Sequence, residues 1–167
     1  QTSPEVIAAT TDHALLMSDH IREIDKQELW HTMMMLPREG LLTSLQQSEM
    51  AFSIMLGDSM IPVGMFGVSK KQTVLSNDRI IWMLATDRLE KISIRFLKDC
   101  KGYVELMQGN DTVYNYVIQD NIKTLKWLFW MGFTILEAEP FGIFDQPFHY
   151  VEKKPCVESQ QQLELQA

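Results

Sequence analysis

The chain has 167 residues, of which 46% are apolar, and a formal net charge of −7. This length and apolar content suit one globular domain, and the acidic balance argues against nonspecific nucleic-acid binding, which relies on excess Lys and Arg. No apolar run reaches the length of a membrane span. Two cysteines (Cys100 and Cys156) and four unpaired histidines give neither a disulfide framework nor metal-ligand spacing. We therefore predict a protein of a reducing cytoplasm, without a metal site.

Apolar periodicity and turn residues divide the chain into alternating strands and helices. The predicted strands are 4–10, 51–56, 61–68, 79–84, 112–118, 133–138 and 148–151, and the predicted helices are 11–31, a helix opened by Pro37, 88–106 and 122–131. This order predicts one α/β domain over residues 1–151, with a mixed central sheet and helices on both faces. The Gln- and Glu-rich residues 152–167 are predicted to form a polar, disordered tail.

The most informative segment is a strand at 112–118, followed by a helix that Asn121 opens and by a Gly132-Phe133 stop. Together with the sequences 62–68, 82–87, 115–117 and 147–149, it resembles the GNAT N-acetyltransferase superfamily from about Asp19 to Tyr150. More closely, the chain resembles the GNAT-like proteins of short-tailed phages, of the internal virion protein A type. The resemblance implies the GNAT acyl-CoA N-acyltransferase fold, and it implies acetyl-CoA as the cofactor of an active member.

The resemblance also implies a glycine-containing loop after the central strand, where backbone N–H groups hold the diphosphate of coenzyme A. The matching segment, 85–91, contains no glycine, and Thr86, Arg88 and Lys91 are its candidate cofactor contacts. Asp87 and Glu90 have the spacing of a capping box, which would satisfy the free N–H groups and place negative charge at the phosphate position. These residues predict a degraded cofactor loop.

The family's usual proton donor, a Tyr seven residues after the helix-opening Asn, corresponds here to Leu128, which cannot donate. Tyr114 and Tyr116 lie on one face of the preceding strand and are the candidate substitutes. Asn121 fits equally well as the cofactor-contacting Asn of the family or as a simple helix N-cap.

A general base for the acceptor amine would be a carboxylate near the central strand or the helix before it. The candidates are Glu23, Asp25, Glu28 and Asp78, and position singles out none of them.

Trp127 and Trp130 lie three residues apart on the predicted helix 122–131, close in sequence to Lys123 and Lys126. Either they form an aromatic and basic surface that stacks on an adenine or on a partner, or they pack at the edge of the core under the lysine stems. The number of aromatic residues in this short segment indicates that part of the surface contacts another chain or the C-terminal loop.

Two functions stay open. In the first, the chain is a phage-encoded GNAT-fold protein that binds no cofactor and acts through contacts with a virion or host protein, during virion morphogenesis or host takeover. It would work in the host cytoplasm or in the virion. In the second, it is an acetyl-CoA-dependent N-acetyltransferase with an atypical cofactor loop. The missing glycines, the Asp87 and Glu90 pair and Leu128 favour the first, and a homo-oligomer is compatible with both.

Overall fold

The computed structural model describes residues 3–156, except the side chain of Ile94. Its helices are α1 Thr11–Met17, α2 Glu23–Met33, α3 Pro37–Gln46, α4 Ile94–Gln108 and α5 Ile122–Trp130, with 3-10 helices at Ser18–His20 and Asp87–Lys91. Its strands are β1 Pro4–Ala8, β2 Ser48–Leu56, β3 Gly64–Ser69, β4 Asp78–Ala85, β5 Thr112–Ile118, β6 Thr134–Ile135, β7 Glu139–Phe141 and β8 Gln146–Lys153.

All eight strands form one sheet in the order β1-β2-β3-β4-β5-β8-β6, and β7 pairs with β8. The β4–β5 pair is parallel and the other pairs are antiparallel. One core cluster lies between the sheet and α4 and α5, and a second lies between the sheet and α1 to α3. The predicted mixed sheet with helices on both faces is confirmed.

The central strands β4 and β5 separate along their length. They pair only from Asp78 with Thr112 to Ile80 with Tyr114, although β4 continues to Ala85 and β5 to Ile118. Each strand keeps its other neighbour, β3 or β8, over the remaining length. The divergence leaves a gap between the two strands in the middle of the sheet.

The predicted helix 11–31 is wrong in its continuity, because long-range pairing interrupts it. Ile21 forms an isolated β-bridge with Thr86, and the Arg22 N–H donates to the Ala85 carbonyl at 2.8 Å. Helix α2 therefore starts at Glu23 and crosses the sheet next to the end of β4. The N-cap of α1 is Thr10, whose Oγ1 accepts from the His13 N–H at 3.1 Å.

The C-terminal part differs from the prediction in its short strands. The predicted strand 133–138 keeps only the two paired residues of β6, and β7 lies in the region predicted as a loop. Strand β8 continues to Lys153, two residues past the predicted end of the domain. Residues 157–167 lie outside the described residues, so the disordered tail stays a prediction.

A close backbone approach fixes the turn between β7 and β8. Gly142 has a φ of +73°, which favours glycine, and a Cβ there would collide with the carbonyl oxygen of His31 at the end of α2. The turn therefore lies directly against α2.

Candidate functional site

Three neighbouring cavities lie at the gap between β4 and β5. The front cavity, about 340 Å³, lies between α2, α3 and β7. The inner cleft, about 70 Å³, lies on the opposite face of the sheet under α4 and α5, and the outer cleft, about 100 Å³, lies between the 3-10 helix Asp87–Lys91 and α5. Glu28 and Asn115 line both the front cavity and the inner cleft, whereas Thr124 and Trp127 line both clefts. The three cavities therefore lie in a row across the sheet.

Helix α2 and the residue before it hold the end of β4. Arg22, Asp25 and Glu28 recur every three residues and so lie on one side of the helix. The buried Asp25 accepts from the Ala85 N–H at 2.9 Å and is bound by the Arg22 guanidinium at 2.9 and 3.0 Å. With the Arg22 N–H bound to the Ala85 carbonyl, both backbone groups of the last β4 residue have partners on this segment.

Glu28, also on α2, holds the end of β5. Its Oε1 accepts from the Ile118 N–H at 3.1 Å and from Asn121 Nδ2 at 2.9 Å, while its Oε2 makes no hydrogen bond within the described chain. Burial raises the pKa of Glu28 to about 7, although the hydrogen bonds from Asn121 and Ile118 lower it. Glu28 therefore titrates near neutral pH, at the junction of the front cavity and the inner cleft.

Of the four carboxylates predicted as candidate bases, Glu28 alone lines these cavities among the described residues. Asp25 is committed to Arg22 and Ala85, and Glu23 is exposed. Asp78 is exposed at the paired end of β4, away from the gap.

Asn115 bridges the two diverging strands. Its Nδ2 donates to the Ile81 carbonyl at 2.6 Å, and its Oδ1 accepts from the Tyr116 N–H at 2.7 Å. Met83 lies between Ile81 and Ala85 on β4, and strand alternation turns its backbone N–H and C=O toward the same gap. An extended ligand in the gap would meet these groups as a further strand would.

The two predicted tyrosines share one face of β5, as expected. Both line the front cavity, and Tyr116 also lines the inner cleft. Tyr116 stacks on Phe141 with ring centroids 4.0 Å apart, and burial raises the pKa of Tyr114, so that phenol keeps its proton at neutral pH. Leu128 is buried in the wall of the inner cleft and offers no proton. A proton-donor role for either tyrosine stays a prediction.

The predicted capping box of Asp87 and Glu90 is wrong. Thr86 is the N-cap, its Oγ1 accepting from the Arg88 N–H at 3.3 Å, and Asp87 only opens a short 3-10 helix. Glu90 extends across the outer cleft and forms an ion pair with Lys123, which neutralises part of its charge. Helix α4 starts later than predicted, after the separate N-cap Ser93.

The four predicted cofactor contacts occupy different surroundings. Thr86 is buried and donates to the Val63 carbonyl, and Arg88 Nη1 donates to Ser59 Oγ at 3.2 Å. Lys91 is exposed at the end of the 3-10 helix. Asn121 occupies the N-cap position of α5, but its side chain makes no capping bond and contacts Glu28 instead.

Two buried polar atoms in the cleft walls have no partner. Thr124 Oγ1 and Trp127 Nε1 make no hydrogen bond, and both residues line the inner and the outer cleft. An unpaired buried donor or acceptor costs about 1–3 kcal/mol, so such groups call for an explanation. The sequence analysis did not predict Trp127 or Thr124 as residues of the cleft walls. Their spacing of three residues on the helix after β5 was the available signal, because it places both side chains on one side of that helix.

The two tryptophans predicted to bind a partner point in different directions. Trp127 packs against the core cluster, whereas Trp130 is 46% exposed and has Lys98 Nζ 5.0 Å from its ring centre. The adjacent Phe129 is 72% exposed. A partner-binding role for the pair stays a prediction, and only Trp130 contributes a large exposed surface.

Other chemistry at this site is limited. Burial raises the pKa of Cys100, in the inner cleft, to about 11, so it is a thiol at neutral pH and not a nucleophilic thiolate. Within residues 3–156, no cluster of His, Cys, Asp and Glu could hold a metal ion. In the same range, no helix combines the length and the apolar composition that crossing a bilayer requires.

No family model matches the chain, and no curated protein matches it in sequence. Solved structures match it in three dimensions. It is similar to the ribosomal-protein-S5-alanine acetyltransferase of Vibrio fischeri, with a TM-score of 0.63 and 12% identity over 90% of this chain and 92% of that one. It is also similar to an acetyltransferase of the GNAT family from Streptococcus pneumoniae, with a TM-score of 0.61 and 12% identity over 90% and 98%.

A third similar structure is spermidine N-acetyltransferase of Vibrio cholerae in complex with CoA and spermine, with a TM-score of 0.63 and 8% identity over 90% of this chain and 95% of that one. At such low identity these likenesses show the fold alone. They give no support to the predicted phage or virion identity. The chain has the GNAT acetyltransferase fold, as its sequence predicted.

Proposed function

We propose that this protein is an acetyl-CoA-dependent N-acetyltransferase with an atypical cofactor loop. The observation that carries the proposal is Glu28, a carboxylate whose pKa is about 7 and which lines both the front cavity and the inner cleft. A base at this pKa is half ionised at neutral pH, which suits proton transfer. Similar structures that include acetyltransferases, one of them with CoA bound, support the choice of reaction.

In the proposed reaction, Glu28 acts as the base and Tyr116 as the proton donor. Acetyl-CoA, when bound, would supply the acetyl group as a thioester. Glu28 accepts the proton that the amine loses as the new C–N bond forms. Tyr116, which lines both the front cavity and the inner cleft, holds a hydroxyl proton for the departing thiolate. Asn121 and Ile118 keep the Glu28 carboxylate in place through its other oxygen.

The two clefts fit the narrow part of such a cofactor. Thr124 Oγ1 and Trp127 Nε1 are unpaired donors, and the amide carbonyls of a pantetheine arm are suitable acceptors. The Met83 backbone, in the gap, offers strand-like pairing to the same amides. These residues would hold the arm between β4 and β5.

The diphosphate end fits less well. The Arg88 N–H is already bound to Thr86, the Leu89 N–H to the Thr86 carbonyl and the Phe96 N–H to Ser93, so few backbone donors remain near this loop. Cationic side chains would replace them, namely Arg88, Lys91, Arg95 and Lys123. Because exposed cations bind phosphate more weakly than a pre-formed backbone site does, we expect modest cofactor affinity.

Calorimetric titration with acetyl-CoA tests the proposal. We expect saturable binding with a Kd of about 10–100 μM, in the range of a modest cofactor affinity. The Lys91→Ala and Arg95→Ala double variant should bind at least about fivefold more weakly, since two cations near the phosphates are lost. Arg38→Ala, which removes an exposed cation on α3, a helix that does not line the outer cleft, serves as the control. Absence of saturation at about 1 mM would reject the proposal.

The second candidate is a non-catalytic, phage-encoded protein that acts through contacts with a virion or host protein. The glycine-free loop and the exposed surface of Phe129 and Trp130 favour it. It predicts no acetyl-CoA binding in the same titration, so one experiment separates the two.

A further inference from the structure

The front cavity has a single acidic side chain in its wall. Glu28 is its carboxylate, and within the described chain its lining contains no other Asp or Glu and no Lys, Arg or His. A cavity with one negative group matches the charge of one ammonium group. The charge of the wall therefore limits the positive charge that a ligand of this cavity can carry.

The rest of the wall is aromatic, apolar or neutral. Tyr114, Tyr116 and Phe141 form one side, and Trp82 lies on β4. Tyr116 is fixed against Phe141 by stacking at an interplanar angle of 14°, and the Gly142 turn holds this strand against α2. A rigid aromatic wall favours a flat or apolar body.

The front cavity also offers neutral hydrogen-bonding groups. Ser44 and Gln47, on and just after α3, line it, and their side chains make no hydrogen bond within residues 3–156. They could bind a neutral polar substituent but could not neutralise a second positive charge.

We propose that the acceptor is a small primary amine that carries one positive charge on an aromatic or apolar body. This inference rests on the proposed acetyltransferase function. The volume of about 340 Å³ suits a single small molecule. A polyamine would have to leave its additional ammonium groups desolvated and unpaired against aromatic and neutral walls, which is unfavourable for each ion.

Release of thiol from acetyl-CoA, measured with four amines, tests the inference. The amines are 2-phenylethylamine, tryptamine, spermidine and a peptide with an N-terminal Phe. We expect kcat/KM for the first two to exceed that for spermidine by at least about 100-fold, the factor that one unpaired buried charge produces. Equal or faster reaction of spermidine would overturn the inference, and so would a clear preference for the peptide, because the acceptor would then be a polypeptide.

A charge variant tests whether the cavity wall itself selects between these amines. Gln47→Glu adds a second carboxylate to the cavity wall and should raise kcat/KM for spermidine about tenfold, with 2-phenylethylamine changed by less than about threefold. Gln46→Glu adds the same charge one residue earlier, outside the lining, and is the matched control. If Gln47→Glu leaves spermidine unchanged, the charge of this wall does not select the acceptor.

Amine binding separates failure of this inference from failure of the proposed function. Trp82 lines the front cavity, so a bound aromatic amine should change the intrinsic tryptophan fluorescence of the protein in the presence of CoA. A saturable change with 2-phenylethylamine but not with spermidine, without any thiol release, would reject the acetyltransferase and retain the binding specificity. No saturable change with either aromatic amine would overturn the inference.

Discussion

Replacing Glu28 by Gln should impair catalysis and stabilise the folded protein at the same time. The amide oxygen of Gln can still accept from the Ile118 N–H and from Asn121, so the local geometry is kept. The variant loses only the negative charge and the ability to accept a proton. A residue retained at a cost in stability is characteristic of function.

The size of the stability effect follows from the pKa. Folding raises the pKa of Glu28 from 4.5 to about 7, so the folded state holds the proton more tightly than the unfolded state does. The stability of the wild type therefore falls as the pH rises from about 4.5 to about 7. At 1.36 kcal/mol per pKa unit, the loss amounts to about 3 kcal/mol. The free energy of unfolding of Glu28→Gln, relative to wild type, should rise by this amount between pH 4 and pH 8.

Urea unfolding at both pH values measures this difference, and the pH dependence of kcat measures catalysis. Wild-type kcat should increase about tenfold per pH unit below pH 7 and level off above it, because Glu28 must be ionised to act as a base. The variant should lose at least about 100-fold in kcat and show no such rise. Glu23→Gln, an exposed substitution on the same helix, is the control for both measurements. A variant that retains kcat within about threefold and keeps the wild-type pH profile would refute the assignment of Glu28 as the base.

Three further variants test the cleft and the proton donor. Thr124→Val removes an unpaired hydroxyl, so the free energy of unfolding should stay equal or rise by up to about 1 kcal/mol. The Kd of acetyl-CoA should rise about three- to tenfold. Unchanged affinity in calorimetry would contradict a role of Thr124 in cofactor binding. Tyr116→Phe should lower kcat about 10- to 100-fold, whereas Tyr114→Phe, which lines only the front cavity, should change KM for the amine and leave kcat nearly constant. Equal effects of the two substitutions on kcat would show that Tyr116 is not the specific donor.

The fold was predictable because its longer elements carry strong local signals. The strand at 112–118 and the start of the helix after Asn121 agree with the sequence pattern. Strand β7 was missed because it contains Pro140 and exists only through its pairing with β8. The capping box failed for a similar reason: Glu90 has a partner on a different helix, and spacing along one segment does not reveal it.

The candidate base was among the residues predicted, but sequence reasoning could not select it. Its selection depends on the break at Ile21 and Arg22, which a continuous predicted helix conceals. The spacing of Arg22, Asp25 and Glu28 by three residues was a usable signal for one side of a helix. The depth of burial and the free Oε2 depend on tertiary contacts with β4 and β5, which no local pattern contains.

The attachment of α2 to both central strands has a consequence for ligand entry. Asp25 binds the backbone of one strand end, Glu28 binds that of the other, and Asn115 spans the distance between the two strands. These bonds hold the gap between β4 and β5 open, so a ligand does not have to separate the two strands when it binds. The preformed gap between β4 and β5 can therefore offset part of the affinity that the few phosphate contacts do not provide.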